Sequence, residues 1–158
     1  MNTRTVLAGV AALAIALSSA PAKDDVELHQ VPEEVRETAL DAIPGGRLVS
    51  VSVETENGVK IYEFIAEDAD GEELEIDVFE DGRLEEVERV IDFEDIPNVV
   101  RDALAERAPD FVPRETEWSY RGDGKIVYEF SGKYRGAEID AEITEDGEIL
   151  LFDDDADS

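Results

Sequence analysis

The sequence contains no cysteine, a single histidine and only 14 lysine and arginine residues. Without cysteine there is no disulfide framework, no thiolate metal site, no cysteine nucleophile and no lipidated cysteine anchor. The one histidine, His29, excludes a metal site built from several histidines and confines any Ser-His-Asp triad to its own neighbourhood. The shortage of positive charge argues against nucleic acid as a partner and disfavours binding to an anionic membrane surface.

Acidic residues dominate the composition, since 42 aspartates and glutamates give the 158-residue chain a formal net charge of −28. The hydrophobic fraction of 42% is close to the norm for globular proteins, so a packed core is feasible. The length fits one domain or two small ones. Among so many carboxylates close pairs are unavoidable, and a close pair alone does not indicate acid-base catalysis. We therefore expect a folded acidic protein that has no catalytic residues and no cofactor.

Residues 1–22 have the features of a secretory signal peptide. Arg4 precedes an uncharged apolar run at 6–17, and Ala20-Pro21-Ala22 fits the small-x-small cleavage pattern. The run is shorter than the ~20 residues of a comfortable membrane span, although an uncleaved anchor is the alternative. Cleavage after Ala22 predicts a periplasmic or secreted protein that makes no stable membrane insertion and begins with a short polar lead at 23–30.

The remainder of the chain contains an internal repeat, with one copy at 31–90 and a second at 91–153, followed by an acidic tail at 154–158. Pro32 and Pro97 match at an offset of 65 residues, as do the turns Glu-Asp-Gly at 80–82 and 145–147. Apolar stripes predict one helix between 32 and 44 and another between 97 and 109. Alternating segments then predict three strands, and a short fourth, in each copy. The predicted fold class is α+β, with two tandem copies of one helix followed by a three- to four-stranded antiparallel sheet; whether the copies share a sheet stays open.

Alternation along the strands divides their side chains between two faces. The apolar set is expected to form the core beneath the helices: Val49, Val51, Val53, Tyr62, Phe64, Leu74, Ile76 and Val78, then Trp118, Tyr120, Tyr128, Phe130, Ile139, Ala141 and Ile143. One helix covers only one face, so the opposite face of each sheet is left to carboxylates. The candidate partner-binding residues on that face are Glu54, Glu63, Glu75, Asp77, Glu117, Glu129, Asp140 and Glu142.

These motifs resemble the PepSY-like domain family in tandem, which is related to the β-lactamase-inhibitor-like fold. The likeness rests on Val-Pro-Glu-Glu-Val-Arg at 31–36, Ile-Pro-Asn-Val-Val-Arg at 96–101, the two Tyr-Glu-Phe strands and the two Glu-Asp-Gly turns. The resemblance implies an exported, non-catalytic binding module, because some relatives inhibit enzymes and PepSY modules accompany peptidases as pro-segments. No inhibitory loop of the family has a match here, so inhibition of a β-lactamase is not predicted.

Three interpretations of the acidic face remain open from the sequence. The functional ones are a protein partner, such as an exported enzyme that this chain inhibits or modulates, and a site for divalent cations. The third is a solvated surface of an acidic envelope protein adapted to salt, since charge repulsion is screened at high ionic strength. A weak calcium site at Asp68, Asp70 and Glu72 is a further alternative, since the sequence there partly resembles an EF-hand loop but lacks its first ligand.

Overall fold

The structure is a computed structural model, and it describes residues 24–56 and 58–154. The predicted signal peptide and residues 155–158 of the predicted tail lie outside the described residues. The strands are β1 (Asp24–Asp25), β2 (Arg47–Glu56), β3 (Val59–Glu67), β4 (Glu73–Phe79), β5 (Leu84–Val90), β6 (Val112–Arg121), β7 (Ile126–Tyr134), β8 (Ala137–Thr144) and β9 (Ile149–Asp154). The helices are α1 (Glu33–Asp41) and α2 (Asn98–Arg107), and single 3-10 turns occur at Leu28–Gln30 and Phe93–Asp95.

The strands form one nine-stranded antiparallel sheet in which they follow their order in the chain. The two halves are joined by β5 and β6, which pair from Glu86 opposite Arg121 to Val90 opposite Glu117. The predicted α+β fold of two tandem units, each of one helix followed by a three- to four-stranded sheet, is therefore wrong: the described residues form mainly one nine-stranded sheet with two helices. Separate sheets would leave the backbone groups of β5 and β6 unpaired at open edges, and pairing the two strands removes both edges.

Both helices lie on the same face of the sheet, where α1 packs over β2 and β4 and α2 packs over β8. Their apolar stripes are buried as predicted, at Val35, Ala39 and Ile43 and at Val100, Leu104 and Ala108. Each helix covers its own hydrophobic cluster, and Trp118 contacts both clusters from the middle of the sheet. The face that the helices leave uncovered is consequently available for binding.

The two Glu-Asp-Gly turns bring the ends of their hairpins against the helices. Gly82 and Gly147 have φ angles of 81° and 90°, in the left-handed region that favours glycine. A Cβ atom on Gly82 would come within 3.2 Å of Glu34, and one on Gly147 within 3.2 Å of Val99. Thr38 strengthens the first contact, because its Oγ donates a 2.6 Å hydrogen bond to the carbonyl oxygen of Gly82.

Most of the predicted core lies beneath the helices. The buried members are Val51, Tyr62, Phe64, Leu74, Ile76, Val78, Tyr128, Phe130, Ile139, Ala141 and Ile143, and Val53 is partly buried against them. The prediction that Val49 belongs to the core is wrong, since it is 50% exposed. A β-bulge between Leu48 and Ser50 inserts one residue and reverses the alternation, so Leu48 packs on the core instead.

Trp118 and Tyr120 were also predicted to be core residues, and this is only partly correct. Trp118 is half-buried and Tyr120 is 39% exposed. Both lie on β6 at the centre of the sheet, whereas the helices pack over β2, β4 and β8. The two rings stack on each other with centroids 6.4 Å apart, and the Arg89 guanidinium lies 5.2 Å from the Trp118 ring.

Within the part of the chain that the structure describes, neither helix has the length and apolar character needed to cross a membrane.

Candidate binding face

The eight residues predicted for partner binding all point to the uncovered side of the sheet, which is called the acidic face below. Strand register establishes this placement, because Glu63 lies opposite Asp77, Asp77 opposite Glu86, and Glu86 opposite Arg121. In the second half Glu117 lies opposite Glu129, and Glu129 opposite Glu142. Seven of the eight side chains are half-buried, and Asp77 is buried. The structure thus brings the predicted residues onto one continuous surface that spans β2 to β8.

Two carboxylates of this face are almost inaccessible to solvent. Asp77 on β4 is 7% exposed and Glu88 on β5 is 4% exposed. Among residues 24–56 and 58–154, one carboxylate oxygen of each residue finds no hydrogen-bond partner. Burial, followed by the charges of Glu75 and Glu63, raises the pKa of Asp77 to about 9. Burial and the neighbouring Glu86 likewise raise the pKa of Glu88. Both carboxyl groups consequently resist ionisation near neutral pH.

Arg121 is the positive charge at the centre of the acidic face. Its Nη2 atom donates hydrogen bonds to Glu142 at 2.7 Å and to Glu129 at 3.2 Å, and its Nε atom lies 3.7 Å from Glu86. Ser119, which is fully buried, donates a 3.0 Å hydrogen bond from its Oγ to the same Glu86 carboxylate. One guanidinium therefore links carboxylates from β5, β7 and β8 across the junction of the two halves.

A shallow depression in the second half of the face collects four of the predicted residues. Its lining includes Glu117, Glu129, Asp140 and Glu142, together with the apolar side chain of Leu151. Burial, and then the charges of Glu115 and Glu86, raises the pKa of Glu117 to about 7. This depression combines partly desolvated carboxylates with the apolar residues Leu151, Phe130 and Ala141, a composition that suits a cationic or amphipathic group.

Three residues of this network were missing from the predicted site: Glu86, Glu88 and Arg121. The sequence does carry a signal for each of them. Val87 faces the core, so Glu86 and Glu88 on either side of it must face the other way. Arg121 is in phase with Glu117 and Ser119 along β6. Alternation along β5 and β6 could therefore have placed all three on the acidic face.

The proposed EF-hand-like segment forms the turn between β3 and β4. The Asp68 carboxylate accepts hydrogen bonds from the backbone N–H groups of Asp70 at 2.8 Å and Glu72 at 2.9 Å. Asp68 thus closes the turn, as aspartates commonly do at this kind of position. Among the described residues, carboxylates cluster in threes at Glu63, Glu75 and Asp77 and at Glu86, Glu88 and Glu129, not in this turn. Calcium binding at Asp68, Asp70 and Glu72 stays an untested prediction.

No protein-family model and no curated protein matches the chain. Solved structures do match it. A candidate periplasmic protein from Bacteroides eggerthii has a TM-score of 0.62 at 13% identity, covering 81% of this chain and 91% of its own. A BLIP-like protein from Bacteroides fragilis has a TM-score of 0.59 at 14% identity, with coverages of 80% and 88%. This chain has a BLIP-like fold.

A DUF2874 family protein from Bacteroides uniformis agrees with this fold, with a TM-score of 0.61 at 12% identity and coverages of 78% and 88%. These matches support the β-lactamase-inhibitor-like part of the resemblance drawn from the sequence. They do not confirm its PepSY part or the tandem arrangement. At such low identities the likeness establishes the BLIP-like fold and leaves binding partners open.

Proposed function

We propose that this protein is an exported, non-catalytic binding module whose acidic face engages a protein partner with a complementary basic surface. The partner class that we propose is an exported enzyme, such as a peptidase, which the module inhibits or modulates. The observation that carries the proposal is the one-sidedness of the sheet. Both helices cover one face, and carboxylates from β2 through β8 collect on the other.

The composition of the acidic face favours a partner over a simple solvated surface. Like charges on neighbouring strands destabilise a sheet by a few tenths to ~1 kcal/mol for each opposed pair. Here Glu63 opposes Asp77 and Glu117 opposes Glu129, so folding either brings like charges together or raises the pKa of a carboxyl group until it takes up a proton, as at Asp77. Several of these carboxylates are also half-buried, so they are partly desolvated before any partner arrives. A basic surface would relieve both costs when it binds.

A net charge of −28 would also speed the encounter with a basic partner. Electrostatic steering of this kind raises association rates, and it weakens as salt shortens the screening length from ~10 Å at 0.1 M to ~3 Å at 1 M. The interaction should therefore lose affinity steeply between 50 and 500 mM NaCl, about tenfold or more.

Export is proposed from the signal peptide predicted at residues 1–22, with cleavage after Ala22. The similar structure from Bacteroides eggerthii, described as a candidate periplasmic protein, supports the same compartment. The absence of catalysis is likewise part of the proposal. The raised carboxyl pKa values are explained by burial and by crowding of like charges over an open sheet face, without a need for a substrate cleft.

A comparison of two charge-matched variants tests the proposal. The face variant carries Glu117→Gln and Asp140→Asn, which remove two charges from the depression. The control carries Glu33→Gln and Glu37→Gln, which remove two exposed charges from α1 on the opposite side. Immobilised proteins are used to capture partners from the exported fraction of the source cells, and affinities are then measured against NaCl.

We expect the wild type and the control to bind the same exported protein and the face variant to bind it at least tenfold more weakly. Equal binding by all three, or an affinity that does not change with salt, would contradict the proposal. A hydrolase screen of the purified protein separately tests the non-catalytic part, which any turnover would refute.

A further inference from the structure

We propose that Glu63, Glu75 and Asp77 form a calcium site on the acidic face. This inference goes beyond partner binding, because it assigns a ligand to one particular group of carboxylates. Glu63 on β3 lies directly opposite Asp77 on β4, and Glu75 precedes Asp77 by two residues on the same strand. The antiparallel register therefore projects all three side chains from one small area of the sheet.

The spacing of the three carboxylates suits calcium. One oxygen from each residue lies within 4.8 Å of the others. A calcium ion bound at about 2.4 Å from each ligand can bridge oxygens up to about 4.8 Å apart. Magnesium demands near-octahedral geometry at about 2.1 Å and usually keeps several of its waters, so a site made of three side-chain carboxylates suits calcium better. An all-oxygen set of ligands also excludes the softer transition metals as preferred occupants.

Asp77 supplies an observation that is independent of the clustering. It is 7% exposed, and its Oδ1 atom has no hydrogen-bond partner within the part of the chain that the structure describes. Buried polar atoms are normally satisfied, because leaving one without a partner costs about 1–3 kcal/mol. The charges that act most strongly on Asp77 come from Glu75, Glu63, Glu86 and Glu85, and all are acidic. A bound cation would satisfy the oxygen and compensate this charge at once.

The other group of three carboxylates also holds a buried oxygen without a hydrogen-bond partner among the described residues, Oε1 of Glu88, but it differs in its charge. Glu86, Glu88 and Glu129 also have oxygens within 4.8 Å of one another. However, Arg121 donates a hydrogen bond to Glu129 and lies beside Glu86, so this group already contains a positive charge. A metal ion there would have to displace the guanidinium or share carboxylates with it. The structure therefore assigns calcium to the group on β3 and β4.

Thermal melts of the purified protein in CaCl₂ and in NaCl of equal ionic strength test the site, with MgCl₂ as a third condition. Three carboxylates and a millimolar or tighter dissociation constant predict that 5 mM CaCl₂ raises Tm by at least about 4 °C beyond NaCl. Calorimetric titration should show one calcium ion per chain. No excess shift over NaCl would overturn the proposal, and an equal shift in MgCl₂ would overturn its assignment to calcium.

Two variants and a control locate the site. Asp77→Asn keeps the shape of the side chain and should weaken calcium binding at least tenfold, abolishing most of the calcium-dependent shift. Glu63→Gln, at a less buried position, gives the same test if Asp77→Asn does not fold. Asp140→Asn removes one charge from the same face but from neither group of three, so it should keep the full shift. Equal loss in all variants would mean diffuse charge screening and would refute the site.

Discussion

Replacing Arg121 by methionine should destabilise the protein far more than losing an ordinary surface charge. The side chain is 29% exposed, and it donates hydrogen bonds to two carboxylates and lies 3.7 Å from a third. Each charge-assisted hydrogen bond contributes about 1.5–3 kcal/mol. Breaking a buried ionic network typically costs about 3–5 kcal/mol. Because Arg121 is partly solvated, we expect Arg121→Met to lower the free energy of unfolding by about 2–4 kcal/mol at pH 7.5.

The assay is urea denaturation followed by the fluorescence of Trp118, the only tryptophan, which packs against both hydrophobic clusters. Arg114→Met is the control, since Arg114 pairs with Glu138 at 3.0 Å but is 65% exposed. Its loss should cost no more than about 0.5 kcal/mol. The cost of Arg121→Met should shrink near pH 4, where the carboxylates take up protons and cease to repel one another. Equal costs for the two variants, or a cost that does not change with pH, would refute the reasoning.

Two further predictions concern β6 and the turn that follows it. Gly122→Ala should destabilise the protein by about 1–3 kcal/mol in the same denaturation assay, because the added Cβ would overlap the carbonyl oxygen of Leu84 on β5. An unchanged urea midpoint would show that the backbone at the junction accommodates the Cβ without cost and would contradict this prediction. The pKa of Glu117 is raised from 4.5 to about 7 on folding, so the folded state binds more protons between those values. Its contribution to stability is full below about pH 4.5 and is lost as the pH rises through about 7. After allowance for solvent screening this amounts to about 1 kcal/mol, so Tm should fall by a few degrees from pH 5 to pH 8 in the wild type and by less in Glu117→Gln, and the idea fails if both fall equally.

Elements of this fold could be predicted where the information is local. The stripe Val35, Ala39 and Ile43 identifies a helix and its buried side, because helical spacing depends only on the chain itself. The same spacing does not say how separate segments combine. The pairing of β5 with β6 depends on which two unpaired strand edges meet in the folded protein. The hydrophobic periodicity of the two strands does not predict that pairing. The core prediction for Val49 was wrong for a related reason, since the position of a β-bulge depends on the register with the neighbouring strand.

The acidic face shows a similar division. Alternation predicted on which side of the sheet Glu63, Glu75 and Asp77 lie. It could not distinguish the buried Asp77 from the half-buried Glu75, because that difference depends on which side chains β5 places beside them. The role of Arg121 in linking the carboxylates could not be predicted either, since its partner Glu86 lies beside it only because β5 pairs with β6 at the junction.

The order of the strands has a consequence for how the chain folds. Each strand pairs with the one before it in the sequence, so most ladders of the described sheet are simple hairpins. Of the ladders in the described sheet, only β1–β2 and β5–β6 must close over an intervening helix. Local hairpins incur little loop-closure entropy and form quickly, whereas closing over a helix is slower. We therefore expect β2–β5 and β6–β9 to condense first as meanders around their own helices, and the β5–β6 junction to close last, completing the sheet.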